Sequence, residues 1–319
     1  MNSGMQFYDK ESEEICSNII SQLIDRFESS ESNGYLLIDL ALRELWEDDE
    51  LIIACNDLTT HSILFPYTEF NQQPQLLLVR FENTHLAREF LMKCVKTAIR
   101  SANADRYQKN AICGWLTSTL PGDTLATVLA GAMIQSINEV GDILFRYYDP
   151  AVIGKLSSIL SEWQLTRLFS NINDWWFIDI NNKLKEIKGD NSLFIKLEYS
   201  LALEAKQFDK LSVIKDISVV LDNYRLDFPH VEINETSFTR SLLDAFNWYI
   251  EHFNYNANDF IFFGKDVLRG ITAFYLSPVF DPRSEKNDIQ FYAELKELIP
   301  LETINALGLG VEEDNKRKK

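Results

Sequence analysis

Apolar residues at helical spacing open the chain. Ile15, Ile19, Leu23 and Phe27 recur at every fourth position, which is typical of an amphipathic helix. The polar stretch SSESNG follows at 29–34 and ends the pattern. We therefore predict a helical arm at 1–34. Packing of this arm on the next domain is the favoured interpretation, and a free docking arm is the alternative.

Short apolar runs then predict buried strands. They are YLLID at 35–39, LLLVRF at 76–81 and DILFRYY at 142–148. Helical patterns lie between them at 84–101 and 124–137. Strands that alternate with helices indicate an α/β or α+β lobe.

The segment that follows the third run has a clear helix start. Asp149 is a good N-cap because its carboxylate can accept backbone N–H groups, and Pro150 suits the first helical position, where no N–H is needed. The apolar stripe that follows predicts one helix packed on the sheet: Val152, Leu156, Ile159, Leu160 and Trp163.

Beyond residue 191 the pattern is helical. One apolar face carries Phe238, Leu242, Phe246, Tyr249 and Phe253. The sequence thus predicts an α+β fold, with a mixed α/β lobe containing a short sheet at 35–188 and an all-helical lobe at 189–310. The charged segment at 311–319 is predicted to be a flexible tail.

The charge balance narrows the classes of partner. The chain has 319 residues, of which 31 are Lys or Arg and 48 are Asp or Glu, giving a net charge of −17. Such a surface repels phosphate backbones and anionic lipid, so we expect neither a nucleic-acid nor a membrane partner. It favours a partner with a basic face.

The compartment is predicted from signals and cysteines. The chain contains no apolar run long enough to span a bilayer, and its N-terminus lacks the basic and apolar regions of a signal peptide. Cys16, Cys55, Cys94 and Cys113 are far apart and form no CxxC pair. Free buried thiols in the cytoplasm are the resulting expectation.

Known catalytic motifs are missing from the sequence. None of the four histidines lies in HExxH or HxH, and GxSxG, GxxxxGK[ST] and a GxGxxG after a strand are all absent. Weak candidates remain: the pair His85 and Glu89, the pair Cys55 and His61, and the acidic WEDDE at 46–50. We therefore expect no metal, no cofactor and no enzymatic activity. A carboxylate-based enzyme stays an alternative.

Two features favour protein partners. Trp175 and Trp176 are adjacent, so they point in different directions and cannot both face one core layer. One of them is therefore expected either to pack between the lobes or to be exposed as an anchor for a partner. A local basic cluster in this acidic chain is a candidate docking face, with Arg88, Lys96 and Arg100 as its proposed contacts beside Lys93, Arg106 and Lys109.

A set of segments resembles a known family. They are YLLID, SILF at 62–65, PQLLLV at 74–79, CGWLTS at 113–118 and, above all, LFRYYDPAVI at 144–153. Together they resemble the type VI secretion effector chaperone, or adaptor, family over 35–179. The family often has an arginine directly after the aspartate–proline pair, where this chain has Ala151.

The resemblance implies a non-enzymatic cytoplasmic protein of a Gram-negative bacterium. It would bind a specific toxin effector and help to load that effector onto the VgrG spike. An immunity protein that blocks the toxin is the other binding alternative.

The matched motif consists of Arg146, Tyr147, Tyr148, Asp149 and Pro150. Its role is either structural or partner-binding. Strand alternation would place Arg146 and Tyr148 on one face, with Tyr147 on the other. Arg146 could then pair with Asp149 or with another buried acid.

Overall fold

The structure is a computed structural model that describes residues 10–40, 50–64, 76–103, 111–138, 140–190, 200–271, 273–282 and 289–309. The chain divides into two compact units, Met1–Asp209 and Lys210–Lys319. The lobe boundaries predicted from the sequence stay predictions. None of the helices within the described ranges is long and apolar enough to cross a membrane.

The first unit mixes helices and strands. Its helices are α1 (Lys10–Ser29), α2 (Glu50–Asn56), α3 (His85–Asn103), α4 (Gly122–Ala132), α5 (Pro150–Ile153) and α6 (Glu162–Leu168). Its strands are β1 (Asn33–Asp39), β2 (Thr60–Ile63), β3 (Leu76–Phe81), β4 (Ile112–Ser118), β5 (Ile134–Ile137), β6 (Gly141–Leu144), β7 (Asp174–Ile178) and β8 (Leu184–Lys188).

Six of these strands form one antiparallel sheet. The strand order is β2-β3-β1-β4-β7-β8, and β5 pairs with β6 in a separate two-stranded sheet. With a sheet in the first unit and helices in the second, the predicted α+β class is confirmed.

Helices cover one face of the sheet. Helix α1 packs on α3, and its buried residues Ile19, Leu23 and Phe27 belong to the same core as Leu36 and Ile38 of β1. The packed interpretation of the N-terminal helix is therefore confirmed.

The opposite face is covered as well. Successive side chains of a strand point to opposite faces, yet every residue of β1 from Gly34 to Asp39 is buried. Tyr35, on this second face, donates a hydrogen bond from its hydroxyl to the carbonyl of Leu120, at 3.0 Å, just before α4. The central strands of the sheet, β1 and β4, thus form an internal layer.

Three predicted elements are corrected. The expected strand at 142–148 ends at Leu144. The expected helix at 124–137 ends at Ala132, and β5 takes the last four residues. The single helix expected after Asp149 is interrupted: α5 ends at Ile153, and a capping box of Ser161 and Gln164 starts α6 as a new helix.

The prediction that Trp163 packs on the sheet is also wrong. The new start of α6 turns this side chain outward, and it is 56% exposed instead of lying in the core. The guanidinium of Arg167 lies over its ring, 5.5 Å from the centroid.

The second unit is helical. The boundary between the units falls within α7 (Ala205–Ser212), and the second unit continues with α8 (Ile214–Asp227), α9 (Glu235–His252), α10 (Ala257–Arg269), α11 (Tyr292–Leu298) and α12 (Leu301–Ala306). Helix α10 packs against both α8 and α9. On the predicted apolar face of α9, Leu242, Phe246 and Tyr249 are buried, as is Phe253 just after the helix.

A buried carboxylate joins α10 to α11. Asp259 accepts hydrogen bonds from the backbone N–H groups of Tyr292 and Ala293, both at 2.9 Å, and from the hydroxyl of Tyr249 at 2.7 Å. Helix α11 has no side-chain hydrogen bond from its own N-cap residue, Phe291. Asp259 therefore serves as its cap from another helix.

We expect Asp259→Asn to destabilise the second unit by about 1–3 kcal/mol, because an amide offers one acceptor oxygen where the carboxylate offers two. Urea unfolding measures this loss. Glu251→Gln, at an exposed position of α9, is the matched control and should change stability by less than about 0.5 kcal/mol. Equal stability of both variants would show that the contacts of Asp259 contribute little.

Candidate functional site

The segment 145–149, called the motif loop below, joins the end of β6 at Leu144 to the start of α5 at Pro150. Asp149 accepts a hydrogen bond from the backbone N–H of Ala151, at 2.9 Å, and Pro150 occupies the first turn of α5. The sequence-based prediction of an N-cap at Asp149 is confirmed. This cap sets the direction in which the chain leaves the loop.

Arg146 connects the loop to the sheet. Its Nη2 donates a hydrogen bond to Oδ2 of Asp39, at 2.9 Å, and lies 3.5 Å from Oδ2 of Asp149. Asp39 ends β1, and its side chain is 1% exposed. A carboxylate so deeply buried needs a positive partner. Arg146 was expected to pair with Asp149 or with another buried acid, and it lies close to both Asp149 and Asp39.

The two tyrosines of the motif are internal. Tyr147 and Tyr148 are both fully buried. The strand that was expected to carry them ends at Leu144, so the tyrosines lie in the turn that follows it and not in a strand. Tyr147 packs against Phe169 and Trp175 with ring centroids 6.1 Å apart in each case. The guanidinium of Arg146 lies 5.6 Å from the ring centroid of Tyr148.

Burial sets the ionisation of this cluster. It raises the pKa of the Tyr148 hydroxyl and raises the pKa of the Cys113 thiol well above its usual value. Burial opposes the charge of Arg146, but the nearby carboxylates of Asp149 and Asp39 outweigh it, and the pKa of the guanidinium is raised. The thiol and the phenol therefore stay protonated near neutral pH while Arg146 stays charged.

Trp175 and Trp176 point to opposite faces of the sheet, as their adjacency predicts. Trp175 contacts Tyr147 and Phe169, whereas Trp176 contacts Phe27 of α1. They are 0% and 3% exposed. The expectation that one of them is exposed is wrong, because both faces of the sheet are covered.

The basic cluster lies largely on α3. Arg88 is exposed and forms an ion pair with Glu28 and a hydrogen bond with Asn83. Lys96 is exposed on the same helix. The side chain of Arg100 and the residues Arg106 and Lys109 lie outside the described part of the chain. The docking role of this face stays a prediction.

The candidate pair Cys55 and His61 is not brought together. Nδ1 of His61 lies 2.6 Å from Oδ1 of Asp123, whereas Cys55 belongs to the core on the α1 side of the sheet. Burial raises the pKa of the Cys55 thiol to about 11, which disfavours a reactive thiolate. The four cysteines are free and buried, as expected.

Metal candidates were weak in the sequence. His85 and Glu89 lie 3.8 Å apart as an exposed pair. Within the described ranges, no group of three or more His, Cys, Asp or Glu residues could hold a metal ion. Most of the acidic stretch at 46–50 falls outside those ranges.

Asp39 is the residue of the site that was not predicted from the sequence. Its signal is an aspartate that closes the apolar run YLLID. A charged side chain at the end of a buried strand requires a counter-charge, but the sequence does not show which of the distant basic residues supplies it.

Together, the fold and the cluster define an α+β protein whose motif loop is anchored to an internal sheet by a buried arginine–carboxylate pair. A family model described as a domain of unknown function (DUF4123) matches residues 35–167. This range includes Asp39 and the whole motif from Arg146 to Pro150. No curated protein and no solved structure matches the chain.

Replacing the arginine tests the anchoring role. We expect Arg146→Met to destabilise the first unit by about 3 kcal/mol, because Asp39 loses its counter-charge while it stays buried. The value is at the lower end for buried pairs because the Arg146 side chain is 34% exposed. Urea unfolding followed by tryptophan fluorescence gives the measurement.

The matched control for this substitution is Arg88→Met. The Arg88–Glu28 pair has side chains 44% and 38% exposed, so its loss should cost less than about 1 kcal/mol. Equal losses in the two variants would contradict a special role for Arg146.

A second pair of variants separates capping from charge at Asp149. We expect Asp149→Ala to cost about 0.5–2 kcal/mol, because the N–H of Ala151 loses its acceptor. Asp149→Asn keeps a capping oxygen and should cost less, as thermal unfolding would show. If the alanine and asparagine variants lose the same stability, the carboxylate acts through its charge and not as a cap.

Proposed function

We propose that this chain is a non-enzymatic adaptor. It binds a secreted toxin effector in the cytoplasm of a Gram-negative bacterium and assists the loading of that effector onto the VgrG spike of a type VI secretion system. The observation that carries the proposal is the family-model match over residues 35–167. The matched range contains the FRYYDP segment at 145–150, on which the resemblance to effector adaptors mainly rests.

The site supports a scaffold role for the motif. Tyr147 and Tyr148 are fully buried, so a partner could touch them only after the loop opens. Arg146 is held by Asp39 and Asp149. The motif then acts by keeping the first unit in one conformation, and the partner contacts other residues.

The charge of the chain supports a protein partner. A net charge of −17 favours a basic binding partner and accelerates its association at low salt. An adaptor of this kind would bind the effector reversibly, and its affinity should fall as the salt concentration rises.

Co-expression tests the proposal. The tagged chain is produced together with the products of its immediate gene neighbours and then purified. We expect a toxin-type protein in stoichiometric amount, further joined by a VgrG-type spike protein. Recovery of neither from a well-folded bait would overturn the proposal.

A truncated partner distinguishes an adaptor from an immunity protein. The adaptor should still bind a toxin whose catalytic domain has been removed, because loading does not need that domain. Binding that requires the catalytic domain, together with inhibition of its activity, would instead identify an immunity protein.

A further inference from the structure

The two edge strands of the six-stranded sheet differ in their protection. An exposed strand edge is a template for pairing with another chain, and proteins guard such edges with charged residues, especially lysine. Strand β8 carries Lys185, Glu186 and Lys188. Strand β2 has the sequence THSI and carries no lysine, arginine, carboxylate or proline.

The register of β2 shows which of its backbone groups face outward. The N–H of Arg80 donates to the carbonyl of Thr59 at 2.8 Å, and Thr60 is paired with Val79. In an antiparallel pair, hydrogen-bonded residues alternate with residues whose N–H and C=O point away. Thr60 and Ser62 therefore direct their backbone groups away from β3. Within the described part of the chain, neither N–H has a hydrogen-bond partner.

Strand β2 is held firmly from one side. The ring of His61 packs so closely on Gly122 of α4 that a Cβ there would lie 2.1 Å from Nε2. Nδ1 of the same ring lies 2.6 Å from Asp123. The edge is thus fixed before any partner arrives, which lowers the entropic cost of binding.

Among the described residues, several carboxylates lie close to β2 in the sequence or in contact with its neighbours. Asp57 is exposed between α2 and β2, Glu82 accepts a hydrogen bond from the hydroxyl of Thr59, and the Asp123 side chain is 92% exposed. One basic side chain, Arg80, lies on the neighbouring strand and donates to Asn33. An incoming strand with basic side chains is complementary to this rim.

We propose that β2 is a docking edge, at which an extended segment of the protein partner, carrying lysine or arginine side chains, adds as a further antiparallel or parallel strand. Backbone hydrogen bonds to Thr60 and Ser62 give the affinity, and the carboxylates of Asp57, Glu82 and Asp123 select basic side chains. Leu64, which is 68% exposed just after β2, offers an apolar contact for the same segment. This inference rests on the proposed adaptor function, because it names how the partner binds.

A proline substitution tests the edge directly. Ser62→Pro removes an outward N–H without breaking a β2–β3 hydrogen bond, and proline is tolerated at such edge positions. Ser62→Ala keeps the N–H and is the matched control. Wild type and both variants serve as baits for the co-expressed products of the neighbouring genes.

We expect Ser62→Ala to recover the partner like wild type and Ser62→Pro to recover about tenfold less, since a lost hydrogen bond of about 1.4 kcal/mol corresponds to that factor. Equal recovery by all three baits would overturn the docking edge and leave the adaptor function standing. Recovery of no partner by wild type would overturn the adaptor function, and the docking edge with it.

Hydrogen exchange keeps the inference falsifiable if Ser62→Pro fails to fold. The amides of Thr60 and Ser62 are followed at residue resolution in the wild-type chain, alone and bound to the co-purified partner. Both should exchange rapidly when free and at least tenfold more slowly in the complex. Unchanged exchange at both amides in a saturated complex would overturn the docking edge.

A charge reversal tests the selection of basic side chains. We expect Asp57→Lys to weaken partner binding several-fold. Glu14→Lys makes the same charge change at an exposed position of α1 and should leave binding within twofold of wild type. Equal weakening by both variants would show that only net charge matters and would contradict a specific acidic rim.

Discussion

The contact between Asp39 and Arg146 is the constraint on which the first unit depends. Asp39 ends an interior strand of the sheet, and its side chain is 1% exposed. Its charge is tolerated there because Nη2 of Arg146 lies 2.9 Å from Oδ2. Arg146 thereby ties the turn after β6 to β1, and the same turn contains the two buried tyrosines and Asp149, the N-cap of α5.

The internal sheet explains how the aromatic residues are used. One face packs under α1 and α3 and takes Trp176, whereas the other takes Trp175 with Tyr147 and Phe169. The central strands β1 and β4 are buried on both faces, whereas the edge strands β2 and β8 carry exposed residues. The edge strand β2 carries no acidic, lysine or arginine side chain, and two of its residues, Thr60 and Ser62, direct their backbone groups outward.

Local signals in the sequence predicted local structure well. The Asp149–Pro150 helix start and the amphipathic α1 depend on residues close together in the chain, and both are confirmed. The class α+β followed from the same patterns. The single helix expected after Asp149 was wrong because the apolar spacing continued across Gly154 and concealed the new cap at Ser161.

Tertiary features could be predicted less well from the sequence. Arg146 and Asp39 are 107 positions apart, so the sequence could indicate a buried acid but not identify it. The adjacent tryptophans predicted opposite directions correctly, yet their burial depended on the second layer that covers the sheet. The edge at β2 likewise depends on strand order, which periodicity does not reveal.

A double-mutant cycle between Asp39 and Arg146 tests the central claim most directly. The unfolding free energies of wild type, Asp39→Asn, Arg146→Met and the double variant give the coupling between the two side chains. We predict a coupling of about 1–3 kcal/mol, with the double variant less destabilised than the sum of the single ones. Losses that add to within about 0.3 kcal/mol would contradict the claim that this pair anchors the motif loop to the sheet.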